Sequence, residues 1–265
     1  MKVAVCGTGA MGEALLAGWI ASGMDPGQVG IVEVDDARAR QVTQRYGVRR
    51  IELADAAAAQ LIVLAVKPHQ VIDALTAISP TRDSVVVSIA AGVPLASLEA
   101  ACPGVPCVRV MPNTPALVGQ GMSGVIAGTS ASPADVDAVV GLMSAVGKTV
   151  VIGEGQVDAL TAISGSGPAY LFYVAEAMVE AGVHLGLTRA DATMLVNQTF
   201  VGSAAMLAES GETATALRER VTSPAGTTAA ALGVLDERAV RAAFNAAMRA
   251  CRDRGAEMAS AAKPR

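Results

Sequence analysis

The hydrophobic pattern changes character partway along this chain of 265 residues. Up to about residue 155, short β-branched runs alternate with longer alanine-rich segments, and the run 61–66 is apolar at every position. A strand without a polar face is typical of a parallel sheet that is covered on both sides. The alternation of such strands with helices predicts a doubly wound, Rossmann-type α/β domain over residues 1–155.

The predicted elements of this first domain follow from the same pattern. Strands are predicted at 2–6, 30–34, 61–66, 84–89, 108–111, 124–127 and 149–152. Helices are predicted between them at 11–22, 37–46, 70–77, 95–101 and 133–145.

From about residue 156 the strand-like runs disappear and long helical patterns take over. Helices are predicted at 156–164, 168–185, 188–210, 213–220, 228–235 and 237–258, with Thr188 and Asp236 as N-caps. Residues 156–265 therefore form a predicted all-helical domain. Its helices carry many Ala, Val, Leu and Met residues and few charges, so much of their apolar surface needs a partner. We expect a homodimer that forms through this domain.

Composition narrows the class of protein further. The chain is 52% hydrophobic but only 3% aromatic, so its core must be aliphatic. A net charge of -4 with scattered basic residues gives no indication of a nucleic-acid partner. No apolar run approaches the ~20 residues of a membrane span, and the four cysteines lack metal-ligand spacing, so neither a membrane nor a metal site is predicted. We expect a cytoplasmic protein.

A glycine-rich turn follows the first predicted strand and opens the first predicted helix. It reads Gly-Thr-Gly-Ala-Met-Gly, with glycines at Gly7, Gly9 and Gly12. The first glycine permits a tight turn, the second lets the backbone approach a pyrophosphate, and the third lets helix and strand pack closely. The motif alone is a weak signal, but its position after the first strand predicts a dinucleotide site that includes Ala10 and Met11.

The acidic residue at the end of the second strand bears on which dinucleotide binds. Glu33 stands about 20 residues after the glycine turn, where an acid hydrogen-bonds the ribose of NAD and repels a 2′-phosphate. The nearby cations Arg38 and Arg40 lie in the next predicted helix and can face away. The sequence therefore favours NADH and leaves NADPH open, while a solvated strand end is the alternative role of Glu33.

Later strand ends converge on the same crevice, because ligands bind outside the carboxyl ends of parallel strands. The candidate cofactor contacts there are Val66, Lys67, Pro68, Ala91, Gly92 and Asn113. Lys67 is placed to approach the phosphates or the ribose, although a surface lysine would give the same pattern.

General acids are scarce, which indicates the kind of bond that is reduced. The chain has two histidines, His69 and His184, and the helical domain has no lysine before Lys263. Reduction of a carbonyl needs a proton donor, usually histidine or lysine. An iminium ion already carries its proton, so hydride delivery alone completes the reaction. The sequence therefore points to a C=N substrate.

A hydroxyl-rich loop in the helical domain is the second candidate site. Residues 221–228 (Val-Thr-Ser-Pro-Ala-Gly-Thr-Thr) lead directly into a predicted helix. Free N–H groups at a helix N-terminus, together with Ser and Thr hydroxyls, suit a carboxylate. An ordinary N-cap turn is the alternative.

Five segments together resemble the pyrroline-5-carboxylate reductase family. They are the loop 221–228 followed by 231–235 (Ala-Leu-Gly-Val-Leu), and the runs 65–68 (Ala-Val-Lys-Pro), 90–93 (Ala-Ala-Gly-Val), 111–115 (Met-Pro-Asn-Thr-Pro) and 164–170 (Ser-Gly-Ser-Gly-Pro-Ala-Tyr). They occur in the family's order and cover nearly the whole chain. Two departures are Ala225, where the family commonly has glycine, and Val34, where it often has a residue suited to a 2′-phosphate.

The resemblance implies that the enzyme reduces 1-pyrroline-5-carboxylate to L-proline with NADPH or NADH, as the last step of proline biosynthesis. It implies a helical domain that interlocks with its twin and dimers that assemble further, commonly into decamers. Carried over by position, Ser223, Gly226, Thr227 and Thr228 hold the substrate carboxylate next to the nicotinamide of the partner subunit. Thr228 is also the implied catalytic hydroxyl, nearest the ring nitrogen.

Other functions remain open. The chain could reduce another cyclic imine or act as a 3-hydroxyacid dehydrogenase, although the lack of lysine in the helical domain disfavours the second. A non-enzymatic alternative is a regulator that binds the nicotinamide cofactor without catalysing a reaction. The presence of both a cofactor site and a candidate substrate site disfavours this alternative.

Overall fold

The computed structural model describes residues 1–261, so Lys263 lies outside the described residues. Contacts divide the chain into two units. The Rossmann unit comprises Met1–Ser166 together with the chain from Cys251 onward, and the helical unit comprises Gly167–Ala250. The division falls after the boundary predicted at residues 155 and 156, because the segment that follows the last strand packs with the sheet.

The Rossmann unit is built on one eight-stranded sheet with the strand order β3-β2-β1-β4-β5-β6-β7-β8. The strands are β1 (Val3–Cys6), β2 (Val29–Val32), β3 (Arg49–Arg50), β4 (Leu61–Leu64), β5 (Val85–Ser88), β6 (Cys107–Met111), β7 (Gly121–Ala127) and β8 (Gly147–Val151). Strands β1 to β6 are parallel, whereas β7 runs antiparallel to β6. The doubly wound prediction is confirmed, but β3 was missed because two exposed arginines carry no hydrophobic pattern.

Helices cover both faces of this sheet. They are α1 (Ala10–Ala21), α2 (Asp36–Tyr46), α3 (Val71–Ile78), α4 (Leu95–Ala101), α5 (Pro133–Ser144) and α6 (Val157–Leu160). The side chains of β1 show why both faces are needed, since Val3 and Val5 enter one buried cluster while Ala4 and Cys6 enter the other. Alternate residues of a strand point to opposite faces, so the two layers are separate cores.

The helical unit contains α7 (Gly167–His184), α8 (Arg189–Glu209), α9 (Ala214–Arg220) and α10 (Thr227–Glu237), and α11 (Val240–Ala261) leads out of it. Thr188 caps α8 as predicted, because its hydroxyl accepts a hydrogen bond from the Asp191 backbone N–H at 3.1 Å. The N-cap predicted at Asp236 is wrong. Helix α10 continues through Asp236, and the break comes at Ala239, whose φ is 53°.

None of the described helices is long and apolar enough to cross a membrane. Across the same residues, no group of His, Cys, Asp and Glu side chains is arranged to hold a metal ion.

Candidate active site

The glycine turn connects β1 to α1 in a conformation that its glycines permit. Gly7 has φ of 95°, and a Cβ there would lie 2.9 Å from the carbonyl oxygen of Ala65. A Cβ on Gly12 would lie 2.2 Å from the carbonyl oxygen of Gly7. Gly9, the N-cap of α1, has no atom within 4 Å of its Cβ position and makes no side-chain cap. The N-terminus of α1 is therefore open to an anion.

A cleft of about 850 Å³ lies above this turn, at the carboxyl ends of the strands. It brings together many of the predicted cofactor contacts, namely Gly7, Gly9, Ala10, Met11, Glu33, Val66, Lys67, Pro68 and Ala91. The open cradle at Gly9 and the size of the cleft fit a dinucleotide. Of the other predicted contacts, Gly12 packs beneath the turn, whereas Gly92 and Asn113 are not among the residues that line the cleft.

Glu33 follows β2 and turns back toward the glycine turn. Its carboxylate accepts hydrogen bonds from the backbone N–H of Thr8 at 3.0 Å, from the Thr8 hydroxyl at 2.6 Å and from the Asp35 N–H at 3.1 Å. Burial raises the pKa of Glu33, but the hydrogen bonds from Thr8 and the neighbouring backbone outweigh it and leave the pKa below its ordinary value. The carboxylate is therefore charged and fixed at the edge of the cleft.

Arg38, whose direction the sequence left open, faces the same turn. Its Nε and Nη2 donate to the carbonyl oxygen of Thr8 at 2.9 and 2.7 Å. Nη2 also pairs with the carboxylate of Glu13 in the first turn of α1. Thr8 thus has a carboxylate at its N–H and a guanidinium at its carbonyl.

Asn113 links the end of β6 to the chain that enters the helical unit. Its amide nitrogen donates to the carbonyl and the hydroxyl of Ser164, each at 3.2 Å, and its amide oxygen accepts from the Met122 N–H at 2.8 Å. Ser164 lies in a π-helical turn, Thr161–Gly165, of a kind frequent at functional sites. No local sequence pattern distinguishes this π-helical turn from an α-helical one, so it could not be predicted.

A second contact that the sequence did not reveal fixes the loop after β5. Glu154 accepts hydrogen bonds from the N–H of Leu95, at the start of α4, and from the buried guanidinium of Arg109 at 2.7 Å. It thereby ties that loop to β6. The partners are far apart in sequence, so no local pattern predicts their pairing.

The hydroxyl-rich loop lies between α9 and α10 in the helical unit. Gly226 is the N-cap of α10 without a side-chain cap, and its N–H donates to the carbonyl of Ser223 at 3.1 Å. Thr227 and Thr228 begin the helix. Ala225 has φ of 57°, in the left-handed region that favours glycine. The loop thus presents two threonines beside uncapped helical N–H groups, as an anion site requires.

These features define a class of protein. The sheet order contains the Rossmann arrangement 3-2-1-4-5-6, and the glycine turn opens onto the cleft at its carboxyl edge. With a separate helical unit, the chain has the architecture of a Rossmann-type dinucleotide-binding protein.

Comparison with known proteins identifies the family. Residues 154–258 match the model described as pyrroline-5-carboxylate reductase dimerisation, and residues 2–92 match NADP oxidoreductase coenzyme F420-dependent. A pyrroline-5-carboxylate reductase from Corynebacterium melassecola is 44% identical over 97% of this chain and 98% of its own length. The chain belongs to the pyrroline-5-carboxylate reductase family.

Solved structures agree with this assignment. A pyrroline-5-carboxylate reductase from Coxiella burnetii is 34% identical with a TM-score of 0.93, and covers 97% of this chain and 98% of its own. The Plasmodium falciparum pyrroline carboxylate reductase with NADP bound is 28% identical with a TM-score of 0.86, and covers 98% of each chain.

Proposed function

We propose that this protein reduces 1-pyrroline-5-carboxylate to L-proline with a reduced nicotinamide dinucleotide, the last step of proline biosynthesis. The observation that carries the proposal is the 44% identity to the Corynebacterium melassecola reductase, which extends over 97% of the chain and so includes both candidate sites.

The glycine turn is the part of the chain that holds the dinucleotide. Uncapped N–H groups at the N-terminus of α1 take the pyrophosphate, while Gly9 leaves room for its approach. Val66, Lys67 and Ala91 line the cleft further along. When bound, the reduced nicotinamide supplies the hydride that adds to the C=N carbon.

The Ser223–Thr228 loop is the proposed cradle for the substrate carboxylate. Ser223, Gly226, Thr227 and Thr228 offer hydroxyls and helical N–H groups to an anion. Thr228 is the hydroxyl assigned to the ring nitrogen. Because a protonated imine needs no added proton, the contribution of these residues is to position the substrate and orient it.

Glu33 favours NADH over NADPH. Its carboxylate is charged and fixed by Thr8, where it is positioned to accept hydrogen bonds from ribose hydroxyls. The same charge repels a 2′-phosphate. Supporting this preference, Val34 next to it is 91% exposed, and its side chain has no group that could donate a hydrogen bond to a phosphate.

The helical unit is the proposed dimer contact, since the matched family model describes dimerisation. That the Ser223–Thr228 loop serves the nicotinamide of the partner subunit stays a prediction of the family resemblance. Assembly into decamers and a cytoplasmic location also stay predictions.

The proposed reaction is tested by following oxidation of NADH or NADPH with pyrroline-5-carboxylate as substrate. We expect oxidation with both cofactors and a higher kcat/KM with NADH. The matched substrate 1-pyrroline lacks the carboxylate, so its kcat/KM should fall at least tenfold, as for loss of hydrogen bonds to a charged group. Equal kcat/KM values for the two imines would show that the Ser223–Thr228 loop does not bind the substrate carboxylate. Oxidation of the reduced cofactor with a 3-oxoacid but with neither imine would favour the 3-hydroxyacid dehydrogenase alternative.

Replacing Glu33 tests the cofactor preference separately. Glu33→Ser removes the repelling charge, so the ratio of kcat/KM for NADPH to that for NADH should rise about tenfold or more. The measurement is steady-state kinetics with each cofactor at saturating imine. An unchanged ratio would exclude Glu33 as the ribose ligand.

A further inference from the structure

We propose that Glu13 is a cofactor-specificity residue. It holds Arg38, the cation that hydrogen-bonds to the glycine turn, in a position where a 2′-phosphate cannot recruit it. The proposal rests on the proposed function, because it concerns the dinucleotide that the glycine turn binds. Glu13 lies in the first turn of α1, directly after that turn.

The hydrogen bonds of Arg38 leave it little capacity for a ligand. A guanidinium has five N–H donors. In Arg38, Nε and Nη2 donate to the Thr8 carbonyl, Nη2 also donates to Glu13, and Nη1 donates to Gln41 at 3.0 Å. The two N–H groups with which a guanidinium binds a phosphate in bidentate fashion therefore already bind protein oxygens.

Glu13 is itself held in place from three sides. Its Oε2 pairs with Arg38, while its Oε1 accepts from Arg45 at 3.2 Å and from the Tyr46 hydroxyl at 2.9 Å. Burial raises the pKa of Glu13, but hydrogen bonds from Arg38 and Tyr46 and the charges of both arginines leave it below its ordinary value. Glu13 is therefore a carboxylate at neutral pH, and it offsets the charge of Arg38.

A second cation near the ribose end of the cleft is also bound to protein oxygens. Arg50 on β3 pairs with Asp36 at 2.6 Å and donates to the Glu33 carbonyl at 2.8 Å. A 2′-phosphate would therefore meet the carboxylate of Glu33, while the guanidinium groups of Arg38 and Arg50 are both held by protein oxygens. Removal of the Glu13 charge is the change that releases Arg38 toward that position.

Binding of cofactor fragments tests the proposal without turnover. Titration calorimetry would compare adenosine 2′,5′-bisphosphate, which carries the 2′-phosphate, with 5′-AMP, which lacks it. In Glu13→Gln we expect the affinity for the bisphosphate to rise at least tenfold relative to 5′-AMP. Asp83→Asn is the matched control, since it removes one exposed acid that does not contact Arg38, and its ratio should stay as in the wild type.

A double variant separates release of Arg38 from a general loss of negative charge. Arg38→Met in the Glu13→Gln background should abolish the gain in the affinity ratio. If the gain persists without Arg38, or if Glu13→Gln does not change the ratio, the proposal is overturned. Tight binding of the bisphosphate to the wild type would overturn it too. Turnover of pyrroline-5-carboxylate by the wild type is independent of all three results, so failure here is distinguishable from failure of the proposed reaction.

Discussion

The two units of the chain bury their apolar residues to very different extents. In the Rossmann unit, both faces of the sheet are filled by buried clusters that include Trp19 and Leu64, each 0% exposed. In the helical unit, the buried apolar residues among those described are Ala192, Val196 and Leu217.

The large apolar side chains of the helical unit lie mostly at its surface. Those exposed include Leu171, Phe172, Tyr173, Met194, Leu195, Val201, Leu207 and Phe244. Folded monomers seldom leave so much apolar surface open to water. The first unit is therefore stabilised within one chain, whereas the apolar surface of the second suits contact with another subunit.

A charge placed on the apolar surface of the helical unit should have the largest effect. Leu195 on α8 is 52% exposed, and Leu195→Glu should weaken the proposed dimer at least 100-fold, because an unpaired charge at an interface costs several kcal/mol. Sedimentation velocity over a range of concentrations would measure this. The control Ile72→Glu changes an exposed apolar residue of α3 in the Rossmann unit and should leave the dimer intact. Equal effects of the two substitutions on dimer affinity would contradict the conclusion that the helical unit, and not the Rossmann unit, forms the contact.

Loss of the Thr228 hydroxyl should have a smaller effect that is confined to turnover. Thr228→Ala removes one proposed hydrogen bond to the substrate and should lower kcat/KM about tenfold, which corresponds to about 1.4 kcal/mol. Thr76→Ala is the control, since it removes a hydroxyl that bonds only within α3, to the Ile72 carbonyl. Unchanged kinetics of Thr228→Ala would remove its assigned role.

The smallest effect is expected from relief of backbone strain in the loop of the helical unit. Ala225 has φ of 57°, which costs a non-glycine residue about 1–2 kcal/mol. Ala225→Gly removes this cost. Glycine also makes the unfolded chain more flexible, which lowers the free energy of unfolding by about 0.4–1 kcal/mol. The net gain in the free energy of unfolding should therefore stay below about 1.5 kcal/mol. Urea unfolding would measure it, and a clear loss of stability would show that Ala225 is not strained.

Features of the fold and of the site also differ in how far they could be predicted from the sequence. The continuous apolar run 61–66 and the Gly7–Gly12 motif are local signals, so the sheet class, the turn and the position of Glu33 followed from sequence. The orientation of Arg38, its pair with Glu13 and the contact of Asn113 with Ser164 depend on packing between distant segments. The N-cap assigned to Asp236 failed for a local reason, since a capping residue type also occurs inside helices.

The proposed function is tested directly by the product that the purified protein forms from pyrroline-5-carboxylate and NADH. Chiral chromatography would measure L-proline against the NADH consumed. We expect one L-proline for each NADH oxidised, with kcat/KM reduced in Thr228→Ala and unaffected in Thr76→Ala. Absence of proline, with either NADH or NADPH as the cofactor, would contradict the proposed function.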